Sequence, residues 1–309
     1  MVDQPLFFRL AVLGCGMIGA SVMRAARQSG AVSEIVGYDA DAGHRARVAE
    51  LGIADRVAED AEAAVSGADL VILATPVLAM GEVARAAAAG LRPGATVTDV
   101  GSVKGQVAQA LDEALPRHVF LIPGHPIAGA EKSGPDAGSG ELFQNRWTIL
   151  TPQAREDQPY LDAVKRLSDF WTALGANVDT MDAEHHDLVL AVTSHLPHLI
   201  AYNIVGTAAD MEAVTRSEVI KYSAGGFRDF TRIAASDPTM WRDVFLTNKE
   251  AVLEVLGRFT EDLQALSRAI RWGEGDKLHE LFTRTRDIRR GVIDAGQDIS
   301  APNFGRGQH

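Results

Sequence analysis

The chain has 309 residues, 46% of them apolar and 23% charged, with a net charge of -11. That size and balance fit a soluble globular protein of two domains, and the negative charge argues against non-specific binding to nucleic acid or an anionic membrane. The single cysteine, Cys15, excludes an intrachain disulfide and a cysteine-built zinc site, and it fits a reducing cytoplasm.

The N-terminus has no basic region before its apolar run, which Arg9 interrupts, so no signal peptide is expected. No apolar run reads as long enough to span a bilayer, there is no repeat, and the tail from Ala295 reads as loosely held. Phe7 to Leu13 reads as a buried strand running into Gly14-Cys15-Gly16-Met17-Ile18-Gly19. A helix follows, with Ile18, Val22, Ala25 and Ala26 on one face, then a strand from Ile35 to Tyr38 that ends at Asp39. This order is that of a dinucleotide-binding unit. Gly14 permits the tight turn, Gly16 lets backbone approach a pyrophosphate, and Gly19 lets helix pack on strand. The N–H groups of Met17 and Ile18 open the helix and face the phosphates. A carboxylate at Asp39 accepts from a ribose diol and repels a 2′-phosphate, which favours NAD over NADP. The bland alternative is a βαβ turn with no cofactor.

Further α/β units follow. Strands are expected at Leu70 to Ala74, Thr96 to Val100, Val119 to Ile122, Trp147 to Leu150 and Asn177 to Thr180. Helices are expected at Val77 to Ala89, Val103 to Leu115 and Tyr160 to Leu174. The alternation implies a mostly parallel sheet covered on both faces, with ligands beyond the carboxyl ends of its strands. Gly14, Thr75, Ser102 and His125 all follow strand ends and can share one rim. His125, between Gly124 and Pro126, reads as lying in a stiff, irregular loop. From Asp182 the pattern becomes helical: roughly 183–208, 217–222, 228–236, 238–267 with breaks, and 276–293. The expected division is therefore a Rossmann-type α/β domain over 1–181 and an all-helical domain over 182–309. The apolar faces of the second domain call for a partner, and a second copy of the chain is the expected one.

Several residues stand out chemically. A neutral imidazole at His125 accepts a proton near pH 7, or is a structural hydrogen-bonded histidine. Ser102 either caps the helix near Val103 or reaches His125 or a substrate hydroxyl. His195 and His198 share a helical face around Pro197, whose missing N–H breaks the helix; a buried kink is the alternative, and a metal pair lacks a third ligand. Arg232, with Asp229 and Arg228 nearby, is either a surface ion pair or a guanidinium fork for a carboxylate. Glu131 and Lys132 read as loop charges, and His185-His186-Asp187 as a helix start without chemistry.

Together, Gly14 to Gly19, Asp99 to Gly105, Gly124 to Gly134, Ser194 to His198, Phe227 to Arg232 and Ser236 to Asp243 closely resemble the prephenate/arogenate dehydrogenases of tyrosine biosynthesis, including the bacterial cyclohexadienyl dehydrogenases. The resemblance covers nearly the whole chain except the tail. It implies NAD- or NADP-dependent oxidative decarboxylation of prephenate to 4-hydroxyphenylpyruvate, or of arogenate to tyrosine, and a homodimer formed through the helical half. It further implies that His125 is the base on the ring 4-hydroxyl and that Ser102 bonds that hydroxyl and the histidine. His198, with His195, would contact substrate, Arg232 with Asp229 would bind its carboxylate, and Glu131 would gate the pocket. Two rivals remain: a β-hydroxyacid or imine dehydrogenase, for which Lys221 and Lys249 lack a matching motif, and a non-catalytic NAD-binding protein.

Overall fold

The structure, a computed structural model, describes residues 4–129, 132–215 and 225–294. It divides into two compact units, residues 1–252 and 253–309.

The first unit is built on β1 (Phe7–Leu13). Its alternate side chains feed two cores: Leu10 and Val12 join the cluster on one face of the sheet, Ala11 and Leu13 the cluster on the other. Each fully enclosed Leu or Val there contributes about 1.5–3 kcal/mol. After β1 come α1 (Met17–Ser29), β2 (Val32–Tyr38), α2 (Ala42–Leu51), β3 (Arg56–Val57) and α3 (Ala61–Val65). Then follow β4 (Leu70–Leu73), α4 (Met80–Ala87), β5 (Thr96–Asp99), α5 (Gly105–Ala114) and β6 (Phe120–Leu121). The six strands pair in parallel in the order β3-β2-β1-β4-β5-β6. The order reverses direction beside β1, so the glycine loop, Thr75 and the end of β5 all open on the carboxyl edge.

The chain then departs from the single sheet that alternation suggested. Gly124–Pro126 is a short strand, β7, rather than an irregular loop, and it starts a second sheet with β8 (Trp147–Leu150) and β9 (Asn177–Thr180). β7 runs antiparallel to β8, with His125 opposite Ile149, and α6 (Gln158–Ala173) bridges the parallel pair β8 and β9. The reason lies at Gly124. Its carbonyl accepts from the Lys104 ammonium at 2.6 Å and its N–H donates to Asp99 at 3.2 Å. Backbone groups claimed by side chains cannot extend the parallel ladder.

Helices follow. α7 (Ala183–Leu190) is capped by Asp182, which accepts from the His185 N–H at 2.8 Å. It passes through a π-turn at Ala191–His195 into α8 (Leu196–Thr215). Over Ala183–Met211 this rod is long and apolar enough to cross a membrane by length and composition, contrary to the sequence expectation. The expectation counted unbroken apolar runs, and Thr193, Ser194, His195 and His198 interrupt the run without offsetting its apolar average. The unit continues with helix Gly225–Thr231, a 3₁₀ turn Arg232–Ala235 and helix Pro238–Thr247. The second unit contains most of helix Lys249–Arg271 and helix Gly275–Asp294, with Ile270, Trp272, Phe282 and Ile288 exposed. The helix expected over 217–222 and the tail from Ala295 lie outside the described residues.

Candidate active site

At the glycine loop, three glycines meet three different constraints. Gly14 sits at φ 102°, and a Cβ there would lie 2.5 Å from the Ala74 carbonyl oxygen. A Cβ on Gly19 would lie 1.9 Å from the Gly14 oxygen, so only glycine lets α1 approach β1 this closely. Gly16 has no protein atom within 4 Å of a built Cβ. It is also the N-cap of α1 with no side-chain cap, leaving the Met17 and Ile18 N–H groups available to an anion. Asp39 closes the site: its carboxylate accepts from Cys15 N–H at 2.7 Å and Asp41 N–H at 2.9 Å, and lies 3.3 Å from His44 Nδ1. The Thr75 hydroxyl is buried with no hydrogen-bond partner among the described residues. An open cradle over a helix terminus, a rim carboxylate and an orphaned hydroxyl together fit a dinucleotide.

His125 lies on β7, just after β6, held by the Gly124 bonds to Asp99 and Lys104. Lys104 is fully buried and ion-paired with Asp99. His125 Nδ1 is 2.9 Å from His186 Nε2, and His186 Nδ1 is 2.8 Å from Asp187 Oδ1. Burial, then the neighbouring His186 and Lys104, hold the His125 imidazole well below its ordinary pKa, and burial lowers His186 too. Both rings are therefore neutral around pH 7. Nothing among the described residues bonds His125 Nε2.

Ser102 does not cap α5. That helix begins at Gly105, and its first N–H groups belong to Asp187: Lys104 N–H donates to Oδ1 and Gly105 N–H to Oδ2, each at 2.8 Å. A carboxylate from α7 satisfies the orphan donors, which removes capping from the two roles open for Ser102. Ser102 is half-buried between the end of β5 and this helix.

His195 and His198 meet on Trp241. The His198 ring stacks on the indole, 3.7 Å between centroids and 23° between planes, and His195 meets it edge-on at 6.0 Å. His198 Nδ1 is 2.8 Å from the Ser194 carbonyl and so must donate to it, which leaves Nε2 as an acceptor. His195, expected among the substrate contacts, is fully enclosed. Its Nδ1 is 3.1 Å from Asn248 Nδ2, and burial pushes its pKa down to about 4. Asp229 ends up on helix Gly225–Thr231 and Arg232 opens the following turn, both exposed. Tyr202 on α8 ties that turn down, donating to the Ser236 carbonyl at 2.7 Å. Glu131 lies outside the described residues.

Sequence reasoning passed over Lys104, His186, Asp187, Trp241 and Asn248. The one available signal was an acid directly after two histidines on a helix with apolar Leu188, Val189 and Leu190 beyond it.

A family profile described as "Prephenate dehydrogenase, nucleotide-binding domain" matches residues 22–180, and one described as "Prephenate dehydrogenase, dimerization domain" matches residues 182–284. The chain is 43% identical over 286 residues to a cyclohexadienyl dehydrogenase of Zymomonas mobilis, covering 93% of this chain and 96% of that one. It is 34% identical over 286 residues to a prephenate dehydrogenase of Bacillus subtilis, covering 92% and 76%. Among solved structures it resembles the prephenate dehydrogenase of Aquifex aeolicus in complex with hydroxyphenyl propionate and NAD+, with a TM-score of 0.84, 36% identity and coverage of 94% and 99%.

Proposed function

The chain belongs to the prephenate dehydrogenase family, and from that premise we propose that it oxidatively decarboxylates prephenate to 4-hydroxyphenylpyruvate, arogenate to tyrosine, or both, using NAD. The observation that carries the reading is His125: a buried, neutral imidazole on the carboxyl edge, its Nδ1 engaged and its Nε2 unbonded by any described residue.

NAD, held by Gly14, Gly16, Met17, Ile18, Gly19, Asp39 and Thr75, supplies the acceptor for the hydride lost from the substrate ring. His125 takes the proton of the 4-hydroxyl as that carbon becomes a carbonyl. The C1–carboxylate bond then breaks, its electron pair enters the ring, and CO2 leaves. His125 returns its proton to the phenolate oxygen, so the oxygen's proton is conserved. Aromatisation drives the step, and the protein mainly positions two reactants and manages one proton. Ser102, on the turn between β5 and α5, bonds the reacting hydroxyl. Arg232, flanked by Asp229, clamps a substrate carboxylate against the adverse net charge. His198, flattened on Trp241, presents Nε2 to substrate while His195 backs the same indole. Glu131 is proposed as the gate from the motif it shares with the family.

We infer a nucleotide-binding domain over 1–181 and a dimerisation domain over 182–309; the match boundaries near residue 181 support it. Homodimer formation is supported by the name of the second profile and by Leu188, Val192, Ile204, Val205 and Met211, all exposed on one long rod. One buried, unpaired cysteine supports a cytoplasmic location.

The test is NADH formation by the purified protein with prephenate and with arogenate in parallel. Turnover of prephenate alone, of arogenate alone or of both assigns the substrate. Silence with both, in a folded protein that binds NAD, would overturn the reading.

A further inference from the structure

We propose that His186 and Asp187 fix the tautomer of His125, so that the nitrogen it offers to substrate is always the unprotonated Nε2. The inference rests on the reading of His125 as the base.

The protons can be placed by elimination. The Asp187 carboxylate receives N–H groups on both oxygens, from Lys104 on Oδ1 and from Gly105 on Oδ2. A carboxylate surrounded by donors has none of its own to give, so the 2.8 Å contact with His186 is a hydrogen bond donated by His186 Nδ1. In a neutral His186 the other nitrogen, Nε2, then holds only a lone pair. The 2.9 Å contact to His125 must therefore be donated by His125 Nδ1. In a neutral His125 that leaves Nε2 unprotonated. Reversing the chain would set the His186 Nδ1 lone pair against the carboxylate, losing a charge-assisted hydrogen bond.

The chain is rigid at its far end. Asp187 caps α5 and its carbonyl accepts from Asn248 at 2.8 Å. Asn248 in turn meets His195. The Asp187 charge also compensates the imidazolium that forms when His125 takes its proton. His186 and Asp187 act through His125 and are positioning residues.

The experiment compares His186→Leu, which removes the acceptor, with His186→Gln, whose amide oxygen can accept from His125 Nδ1–H. Leu should lower kcat for prephenate by about a hundredfold or more, the usual worth of a positioned base, with KM and the Kd for NAD+ within about threefold. Gln should recover kcat to within about tenfold of the parent. In the unmodified protein, imidazole ¹⁵N spectra should report His125 protonated at Nδ1 and bare at Nε2. A near-parental kcat in His186→Leu, or a His125 protonated at Nε2, overturns the proposal. If His186→Leu does not melt cooperatively, the ¹⁵N spectrum of the parent decides alone. His125→Asn separates the two readings: full turnover in that variant sinks the base itself, whereas loss there with normal turnover in His186→Leu sinks only the relay.

Discussion

The ammonium of Lys104 reaches the carbonyl of Gly124 at 2.6 Å, so a buried cation holds the backbone directly beside His125. Its charge is balanced by Asp99, also fully buried, which in turn accepts the N–H of Gly101 at 2.8 Å. Lys104→Met would strand the Asp99 charge. Breaking a buried pair from one side costs about 3–5 kcal/mol, and urea denaturation should register it. Lys104→Met combined with Asp99→Asn should recover part of the loss. An unchanged midpoint in the single variant would show the pair to be dispensable.

His195 gives the fold a pH dependence. Its pKa falls from 6.5 to about 4 through burial, aided by His186 and His198 and opposed by Asp187 and the Ser102 backbone. Below pH 6.5 the unfolded chain binds a proton that the folded one refuses. The stability from this group is therefore complete above 6.5 and is lost as pH falls toward 4, by about 3 kcal/mol in all. His125 and His186, also lowered, act in the same direction. Melting temperatures recorded from pH 8 to 5 should fall, and His195→Gln should flatten the slope.

Gly16 and Gly19 should respond oppositely to alanine. At Gly19 the new methyl meets the Gly14 oxygen at 1.9 Å, so α1 must shift and the protein should lose about 1–3 kcal/mol of stability. At Gly16 it meets nothing within 4 Å. Gly16→Ala should melt normally yet bind NADH at least about tenfold more weakly, since its methyl projects into the open cradle. Equal NADH affinity would remove the pyrophosphate from this loop.

Asp39→Ser removes the carboxylate proposed to meet the ribose and leaves Arg45 close by, donating to the Asp39 and Ala40 carbonyls at 2.7 and 3.1 Å. A guanidinium there suits a 2′-phosphate. The ratio of kcat/KM for NADP over NAD should rise by about tenfold or more. No change in that ratio would mean that another residue sets the preference.

Arg232→Ala should raise KM for prephenate by about ten- to a hundredfold, the worth of a charge-assisted pair, with a smaller change in kcat. An unchanged KM would mean that another cation holds the carboxylate.

The dinucleotide unit was legible because its signals are local. The β1 run, the glycine spacing and Asp39 all lie within one short stretch, and each has a single physical use. The histidine between Gly124 and Pro126 was legible for the same reason, although its strand was not, since that strand exists only because Lys104 and Asp99 take the Gly124 backbone groups. The segments forming α2, β3 and α3 were missed; α3 is a five-residue helix and β3 a two-residue strand, too short for periodicity to register. Asp187 and His186 left only a faint signal. They read as a helix start without chemistry, and only the packing of α7 on α5, across 83 residues of chain, buries them. Of the two roles open for Ser102, the capping one falls away because the true cap comes from that distance.

The same distance orders events at the ribosome. When α5 leaves the exit tunnel, the carboxylate that will satisfy its first N–H groups lies 83 residues from Lys104 and is still untranslated. At ordinary elongation rates that gap is roughly 4–16 s. During it the nucleotide-binding half can form its sheet, but the first turn of α5 and the His186 contact to His125 stay unfinished until the start of the helical half emerges. A nascent chain of this protein thus completes its glycine loop first and the contact that orients His125 only later.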